Sequence, residues 1–286
     1  MSTAEAIAAL KGKTVVVKYG GNAMLDDSLK KAVVQDIAEL SRGGVRTIVA
    51  HGGGPEITGL LKAMNKKSEF VAGLRVTDEE TVTLAQMALV GKTNPDIVGL
   101  LNRADVKAIG LNGRDADLLK VKKHMATVYE DGVAKKVDIG FVGEVIAVNT
   151  SLLNMLLDQG YVPVIAPIGI DETGQGYNVN ADTMAAAVAA EMDAEVFLLL
   201  TDVEGIFRDF KDKTSLIAEL SFQEAEEMIR KGIVEGGMIP KVEACMGALS
   251  GGAGCARVVD GRRPHCIVEA LQPNNCAGTA VIKERR

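Results

Sequence analysis

The stretch at residues 14–22 reads TVVVKYGGN, an apolar β-branched run that ends at Lys18 and the glycine pair Gly20-Gly21. The run predicts a buried strand, and the glycines predict a tight turn into a helix. Glycine lets the backbone approach an anion closely, and N–H groups at a helix start can point at a phosphate. The stretch therefore predicts a strand–turn–helix unit, in which Gly20-Gly21 is either an anion cradle or simply a tight turn.

The same alternation of short apolar runs and longer helical patterns continues along the chain. Further predicted strands are Thr47–Ala50, Val106–Leu111, Val162–Pro167, Glu195–Thr201 and Arg257–Val259. Predicted helices are Ser28–Ser41, Pro55–Met64, Leu152–Gln159, Ala181–Met192, Phe222–Lys231 and Lys241–Leu249. Continuous apolar strands between helices predict an α/β fold with a parallel sheet covered on both faces. Ligands of such sheets bind beyond the carboxyl ends of the strands.

Two segments depart from this alternation. Tyr129–Val145 alternates and is rich in Gly and Val, which predicts a β-hairpin. The glycine-rich loop Gly174–Gly176 marks a predicted boundary between an N-terminal lobe, residues 1–175, and a C-terminal lobe, residues 176–286.

Composition and charge exclude several classes of protein. The chain has 286 residues and a net charge of -6, which argues against a nucleic-acid partner or an anionic membrane surface. No apolar run approaches the roughly 18 residues that span a bilayer, and the N-terminal segment does not resemble a signal peptide. The four cysteines form no Cys-x-x-Cys pair, so we expect reduced thiols, no protein metal site and a cytoplasmic location.

A second glycine-rich turn follows the second predicted strand, in the sequence HGGGP at residues 51–55. Three glycines followed by Pro55 at a helix start give exposed N–H donors at a helix N-terminus. The pattern favours an anion-binding turn over a turn that serves the fold alone. His51 is ambiguous, since a buried histidine bonded to the backbone fits equally well.

Polar side chains stand at two further predicted helix starts. Arg75 lies in GLRVTD, residues 73–78, and its planar fork suits either a bound carboxylate or a salt bridge. The sequence NVNAD at residues 178–182 precedes a helix of small residues. Asn180 or Asp182 can cap that helix, or the group can hold polar ligand atoms and nearby lysines.

The last two motifs lie in the C-terminal part of the chain. Thr201-Asp202 ends the strongest predicted strand, where a nucleotide can bind. Lys241 stands at a helix start, an unfavourable position for a cation unless an anion lies nearby. Two lysines, two glycine turns, an arginine and an aspartate are the parts that phosphoryl transfer requires.

Six motifs in unbroken order resemble the N-acetylglutamate kinase family of the amino acid kinase superfamily. They are KYGGNAM at 18–24, HGGGP at 51–55, GLRVTD at 73–78, NVNAD at 178–182, LTDVEG at 200–205 and GGMIPK at 236–241. The glycine pair and the second lysine are shared across the superfamily, whereas the arginine and asparagine motifs point to the acetylglutamate branch. One departure is Arg114, where the family usually has lysine.

The resemblance implies a three-layer αβα sandwich around a mainly parallel open sheet. It implies that the N-terminal lobe binds N-acetyl-L-glutamate and forms a homodimer, and that the C-terminal lobe binds ATP with Mg²⁺. The implied catalytic residues are Lys18, Lys241 and Asp182, with Asp182 orienting both lysines. The implied substrate-binding residues are Gly53, Gly54, Arg75 and Asn178, with Arg75 on the α-carboxylate. The implied ATP-binding residues are Gly20, Gly21, Thr201, Asp202, Gly205 and Phe207.

The resemblance leaves regulation and assembly open. The C-terminal signature of members that L-arginine inhibits, which are ring-shaped hexamers of dimers joined by an N-terminal helix, is similar to His265, Glu269, Gly278 and Thr279 here. Here Thr3–Leu10 offers only about two turns of helix, and residues 270–277 lack the family's usual Phe. Because a short helix buries little apolar surface, we expect a homodimer as the firm unit. A hexamer and arginine inhibition both remain open.

Two alternatives to an acetylglutamate kinase remain at this point. One is another kinase of the superfamily, acting on glutamate, aspartate, carbamate or a nucleoside monophosphate. The other is a non-catalytic amino-acid or nucleotide sensor on the same fold, against which the presence of both Lys18 and Lys241 argues.

Overall fold

The computed structural model describes residues 2–130, 133–272 and 277–284. The α-helices are α1 Thr3–Ala9, α2 Asp27–Arg42, α3 Gly54–Ala63, α4 Glu79–Ala88, α5 Asn94–Arg103, α6 Thr150–Asp158, α7 Ala181–Glu191, α8 Phe222–Arg230, α9 Ile239–Gly251 and α10 Cys266–Ala270. The strands are β1 Thr14–Tyr19, β2 Arg46–His51, β3 Phe70–Val71, β4 Leu74–Arg75, β5 Ala108–Asn112, β6 Leu119–Glu130, β7 Val133–Val148, β8 Val162–Ala166, β9 Ile168–Ile170, β10 Gly176–Val179, β11 Val196–Thr201, β12 Glu219–Ser221, β13 Ala256–Asp260 and β14 Thr279–Ile282.

A single open sheet organises the molecule, with the strand order β12-β14-β13-β11-β1-β2-β8-β5. Neighbouring strands are parallel except β13 and β14, which are antiparallel. The mainly parallel sheet expected from the sequence is therefore confirmed. Strands β1 and β11 pair in the middle of the sheet, so both predicted lobes contribute to one continuous sheet.

Helices cover both faces of this sheet. Alternate residues of β1 point to opposite sides: Val16 packs in the core beneath α6, α7 and α9, while Val15 and Val17 pack in the core beneath α2, α5 and α10. All three valines are fully buried, and each such side chain stabilises the fold by roughly 1.5–3 kcal/mol. The three-layer αβα sandwich is confirmed.

A smaller β unit stands beside the main sheet, in which β10, β7, β6 and β9 pair in a closed circuit. It contains the predicted hairpin, but the hairpin is longer than expected. The structure begins it at Leu119 and ends it at Val148, whereas the sequence placed it at Tyr129–Val145.

In the region between β4 and β5, the sequence predicted a helix start at the GLRVTD motif, which the structure confirms with Asp78 as the N-cap of α4, but it predicted neither the course of α4 nor α5. Helix α4 runs into a π-helical turn, Leu89–Thr93, which leads directly into α5. Residues of α3 and α4 form a small core with Ala166 and Ile168. This core places α3 and α4 beside the carboxyl ends of β2 and β8.

Candidate active site

The two glycine turns face each other at the carboxyl edge of the sheet. Strands β1 and β2 are neighbours in register, with Lys18 opposite Ala50. The first glycine turn, Gly20–Gly21, follows β1, and the second glycine turn, Gly52–Gly54, follows β2 and leads into α3. A cavity of about 150 Å³ lies between them, lined by Lys18, Gly20, Gly21, Met24, Leu25, Gly52, Gly53, Gly54, Pro55 and Glu56.

Both turns require glycine for steric reasons. Gly21 has φ +68°, and a Cβ there would overlap the carboxylate of Asp202. Gly53 has φ +156°, and a Cβ there would overlap the side chain of Leu89. The same geometry shows that Asp202, predicted at the nucleotide side, lies against the first glycine turn.

The two predicted lysines meet at one buried carboxylate. Lys18 Nζ lies 2.9 Å from Asp182 Oδ1, and Lys241 Nζ donates a hydrogen bond of 2.6 Å to Asp182 Oδ2. Burial by itself would raise the pKa of the Asp182 carboxyl, but the charges of Lys18 and Lys241 outweigh it and hold that pKa below its usual range. The structure therefore brings together three residues that are far apart in the sequence. The Asp182 carboxylate fixes the direction in which both ammonium groups point.

The local sequence explains how Asp182 comes to face the lysines. Asn180 caps α7, because its Oδ1 accepts hydrogen bonds from the N–H groups of Asp182 and Thr183 at 2.9 and 3.1 Å. The ambiguity between the two polar residues is resolved: Asn180 is the cap, and Asp182 is left to bind cations. Lys241 stands in the first turn of α9, where the carboxylate of Asp182 compensates its charge.

Arg75 lies beside the second glycine turn rather than in a surface salt bridge. Its side chain donates to the Ser68 hydroxyl, to the Gly54 carbonyl at 3.1 Å and to Thr58 Oγ1 at 2.9 Å, and it stacks over Phe70. Within the described parts of the chain, no carboxylate lies at ion-pair distance from this guanidinium. Burial lowers the pKa of Arg75, and neutral acceptors hold the cation in place.

The remaining substrate candidate lies next to the Arg75 strand. Asn178, on β10, places its Nδ2 3.5 Å from Thr77 Oγ1, and the Thr77 hydroxyl donates to the Arg75 carbonyl at 2.8 Å. Asn178 and Arg75 are thus connected through one threonine, although 103 positions separate them in numbering.

Two of the predicted ATP-binding residues lie away from the glycine-lined cavity. Gly205 has φ +151° and packs against Thr279, whose hydroxyl accepts from the Ile206 N–H at 2.8 Å. Phe207 is buried and makes an edge contact with Phe210, with the Lys213 ammonium over both rings. Thr201 is buried at the end of β11. These residues belong to the end of β11 and the segment that follows it. In that segment, Asp202 is the residue whose side chain lies against the first glycine turn.

Of the residues that resemble an arginine signature, His265 and Glu269 lie at α10, and Gly278 lies directly before β14. Glu269 and Gly278 line a cavity of about 320 Å³ together with Glu204, Leu216, Val259, Asp260, Arg263, Cys266 and Ala277. His265 lies outside that lining, and its Nδ1 contacts Asp36 Oδ1 at 2.7 Å. Glu269 and Gly278 therefore line the same cavity, whereas the ring of His265 is bonded to Asp36.

Thr58 and Ser68 are contacts of Arg75 that the sequence reasoning missed. A signal existed for Thr58, because it stands one turn after Gly54 on a predicted helix and so faces the helix start. Ser68 lies in the loop before β3, where no periodic pattern marks it.

The described residues contain no group of three or more His, Cys, Asp or Glu side chains arranged as a metal site. They also contain no helix that is long and apolar enough to cross a membrane.

The chain belongs to the amino acid kinase family, whose family model matches residues 13–260. The acetylglutamate kinase of Symbiobacterium thermophilum is 50% identical over 272 residues, which cover 95% of this chain and 92% of that protein. The acetylglutamate kinase of Heliobacterium modesticaldum is 47% identical over 273 residues, which cover 95% and 92%. Within its family, the chain therefore belongs with the acetylglutamate kinases.

A solved structure supports the fold independently. N-acetylglutamate synthase from Neisseria gonorrhoeae, complexed with coenzyme A and N-acetyl-glutamate, superposes with a TM-score of 0.83 at 26% identity. The match covers 99% of this chain and 62% of that protein, so this chain corresponds to only part of the synthase.

Proposed function

We propose that the protein transfers the γ-phosphoryl group of ATP to the side-chain carboxylate of N-acetyl-L-glutamate, giving N-acetyl-L-glutamyl 5-phosphate and ADP in the second step of arginine biosynthesis. The observation that carries the proposal is the buried Lys18–Asp182–Lys241 arrangement beside two facing glycine turns. The 44–50% identity to acetylglutamate kinases supports the choice of acceptor.

The proposed reaction is an in-line displacement. An oxygen of the substrate carboxylate attacks the γ-phosphorus of ATP, the bond to the bridging oxygen breaks, and ADP leaves with that electron pair. Negative charge spreads over the transferring group and its neighbours, so fixed cations lower the barrier most. Lys18 and Lys241 supply those cations, and Asp182 holds both ammonium groups in place before the reaction begins.

The two glycine turns provide neutral donors for the same charge. Gly20 and Gly21 are proposed to donate N–H groups to the phosphates, with Gly53 and Gly54 on the acceptor side. Mg²⁺ is proposed to enter with ATP, because proteins usually bind this ion through substrate phosphates and one or two carboxylates. Asp202 stands against the first glycine turn, where a carboxylate ligand would be expected.

Arg75 is proposed to bind the α-carboxylate of the substrate, with Asn178 nearby. A guanidinium suits a carboxylate because both are planar and can form two parallel hydrogen bonds. Free glutamate would bring an ammonium group to a site that already contains Arg75 and both lysines, so it should be a very poor substrate. Comparable turnover of glutamate and N-acetyl-L-glutamate would instead indicate a glutamate kinase.

A substrate panel separates the alternatives. Purified protein with ATP and N-acetyl-L-glutamate, glutamate, aspartate or carbamate should produce ADP rapidly with the acetylated substrate alone. Turnover of another acceptor would identify a different kinase of the family. No ADP with any acceptor, despite ATP binding, would favour a sensor.

We further propose a cytoplasmic homodimer. Helix α1 covers seven residues, and its apolar residues Ala6 and Ile7 are already buried in the chain's own core. Gln272 also donates to Thr3 at 2.9 Å, which ties α1 to the segment after α10. With its apolar face used within the chain, α1 offers little surface for joining dimers. Sedimentation at micromolar protein should show a dimer; a stable hexamer would contradict this.

L-Arginine is proposed as a candidate effector at the cavity that contains Glu269 and Gly278. Three carboxylates line that cavity, and carboxylates suit a guanidinium. Arg263 already contacts Glu269 at 2.7 Å, so a free arginine would have to displace it. Activity assays across millimolar arginine decide the matter, since an unchanged rate would exclude inhibition.

A further inference from the structure

The imidazole of His51 and the side chain of Asn94 form a buried pair directly beneath the second glycine turn. Asn94 Nδ2 lies 3.1 Å from His51 Nε2, and His51 Nδ1 lies 2.7 Å from the Gly52 carbonyl oxygen. His51 is fully buried and Asn94 nearly so. The family's proposed chemistry uses neither side chain, so their arrangement calls for another explanation.

The hydrogen bonds determine which ring nitrogen carries the proton. Asn94 Nδ2 also donates to the Val164 carbonyl at 2.8 Å, an oxygen that can only accept. That bond fixes the orientation of the amide, so the His51 Nε2 facing the same nitrogen must be an acceptor. The ring proton is therefore on Nδ1, from which it is donated to the Gly52 carbonyl. Burial, with a smaller effect of the Lys18 charge, lowers the pKa of His51 to about 4, in agreement with a neutral ring.

The neighbouring structure is shaped to hold Asn94 there. Gly110 leaves room for the amide, since a Cβ at that position would overlap Asn94 Oδ1. Asn94 follows the π-helical turn, whose residues Leu89 and Thr93 lie against Gly53. Turns of this kind occur frequently at functional sites. The π-helical turn and Asn94 thus support the second glycine turn from one side.

We propose that Asn94 is a positioning residue for the second glycine turn: it keeps the His51 proton on Nδ1, and that proton fixes the direction of the Gly52 carbonyl. In a planar trans peptide the N–H points opposite to the C=O. The Gly53 N–H is therefore turned away from the imidazole. Gly53 lines the cavity between the glycine turns, so this orientation serves the anion-binding role proposed above and rests on it.

The test compares Asn94→Ala and Asn94→Asp with the wild type by ¹⁵N NMR of the histidine rings and ¹³C NMR of the Gly52 carbonyl. The His51 signals are assigned by their loss in His51→Asn. We expect Asn94→Ala to give a mixture of ring tautomers and a shifted Gly52 carbonyl signal. Asn94→Asp places a carboxylate at Nε2 and should convert the ring to imidazolium. Because a small misplacement of a binding group is costly, kcat should fall by about 10- to 10²-fold in Asn94→Ala.

Asn102→Ala is the matched control on the same helix. It loses two hydrogen bonds to Ala108, whereas the hydrogen bonds of the His51 ring go to Gly52 and Asn94. Asn102→Ala should therefore lower Tm and leave the ring tautomer, the Gly52 signal and kcat unchanged. An unchanged tautomer in Asn94→Ala, or a changed tautomer with wild-type kcat, would overturn the proposal. If the wild type does not phosphorylate N-acetyl-L-glutamate, the proposed function fails separately, and the NMR signals still show whether Asn94 controls the turn.

Discussion

Replacing Asp182 by asparagine should separate ATP binding from catalysis. The substitution keeps the shape of the side chain but removes the charge that lies 2.9 Å from Lys18 and 2.6 Å from Lys241. At an effective dielectric constant of about 20, each attraction at roughly 3 Å amounts to about 5–6 kcal/mol before desolvation is subtracted. Removing one partner from a buried ion pair usually destabilises a protein by about 3–5 kcal/mol.

The consequences of Asp182→Asn for stability follow directly. For a chain of this size, each kcal/mol corresponds to about 2–4 °C in Tm, so Tm should fall by roughly 6–20 °C. The lowered pKa of Asp182 means that its stabilisation is present above the ordinary carboxyl pKa and is lost as pH falls through the lowered value. The free energy of unfolding of Asp182→Asn should therefore lack the pH dependence that the Asp182 carboxyl gives the wild type. Asp193→Asn, an exposed site just beyond α7, is the control and should behave like the wild type.

In Asp182→Asn, ATP binding and the rate of turnover should change in opposite directions. Without Asp182, both lysines are attracted to phosphate more strongly, so the Kd of a non-hydrolysable ATP analogue should be equal to or lower than that of the wild type. Their direction is no longer fixed, so kcat should fall by about 10²–10³-fold, as for other lost electrostatic groups. Calorimetry and steady-state kinetics measure the two quantities. A kcat near the wild-type value, or a Kd that rises as kcat falls, would refute the role assigned to Asp182.

Five further substitutions test individual contacts. Lys18→Ala and Lys241→Ala should each lower kcat by about 10²-fold or more, with smaller effects on substrate binding; near-normal kcat in steady-state assays would remove that lysine from the mechanism. Arg75→Lys keeps the charge and loses the fork, so KM should rise for N-acetyl-L-glutamate and not for ATP; an equal rise for both would mean that Arg75 acts through the fold. Gly53→Ala introduces a methyl group into a filled space and should lower the free energy of unfolding by about 1–3 kcal/mol. Gly54→Ala is the control, because nothing lies within 4 Å of a Cβ at that position. If thermal denaturation gave the same Tm for both variants, the packing described for the second glycine turn would be contradicted.

Much of the sheet and its edge followed from local sequence signals. Apolar runs such as Thr14–Val17 have one way to be buried on both faces, so the parallel sheet and its carboxyl edge were predictable. Lys18 and the glycine turns lie at strand ends, and parallel strands bring those ends together. The meeting of Lys18 with Lys241 at Asp182 was not predictable from spacing, since it depends on how α7 and α9 pack; the family resemblance supplied it.

Between β4 and β5 the sequence predicted the start of α4 but not its course or α5, and there is a physical reason for the difference. Helix α4 carries the N-cap Asp78 and an acidic first turn, both detectable signals. The π-helical turn at Leu89–Thr93 then interrupts the 3.6-residue period, so the apolar pattern of α5 does not continue in phase with that of α4. The contact between His51 and Asn94 spans 43 positions, and no local pattern encodes such a pair.

The central claim is that this chain forms an acyl phosphate on N-acetyl-L-glutamate. An acyl phosphate reacts with hydroxylamine to give a hydroxamate, which can be measured directly in a mixture of protein, MgATP and N-acetyl-L-glutamate. We expect N-acetylglutamyl hydroxamate to accumulate in step with ADP, and neither to form with Lys18→Ala at a comparable rate. ADP formation without hydroxamate, or hydroxamate formed equally from free glutamate, would contradict the account.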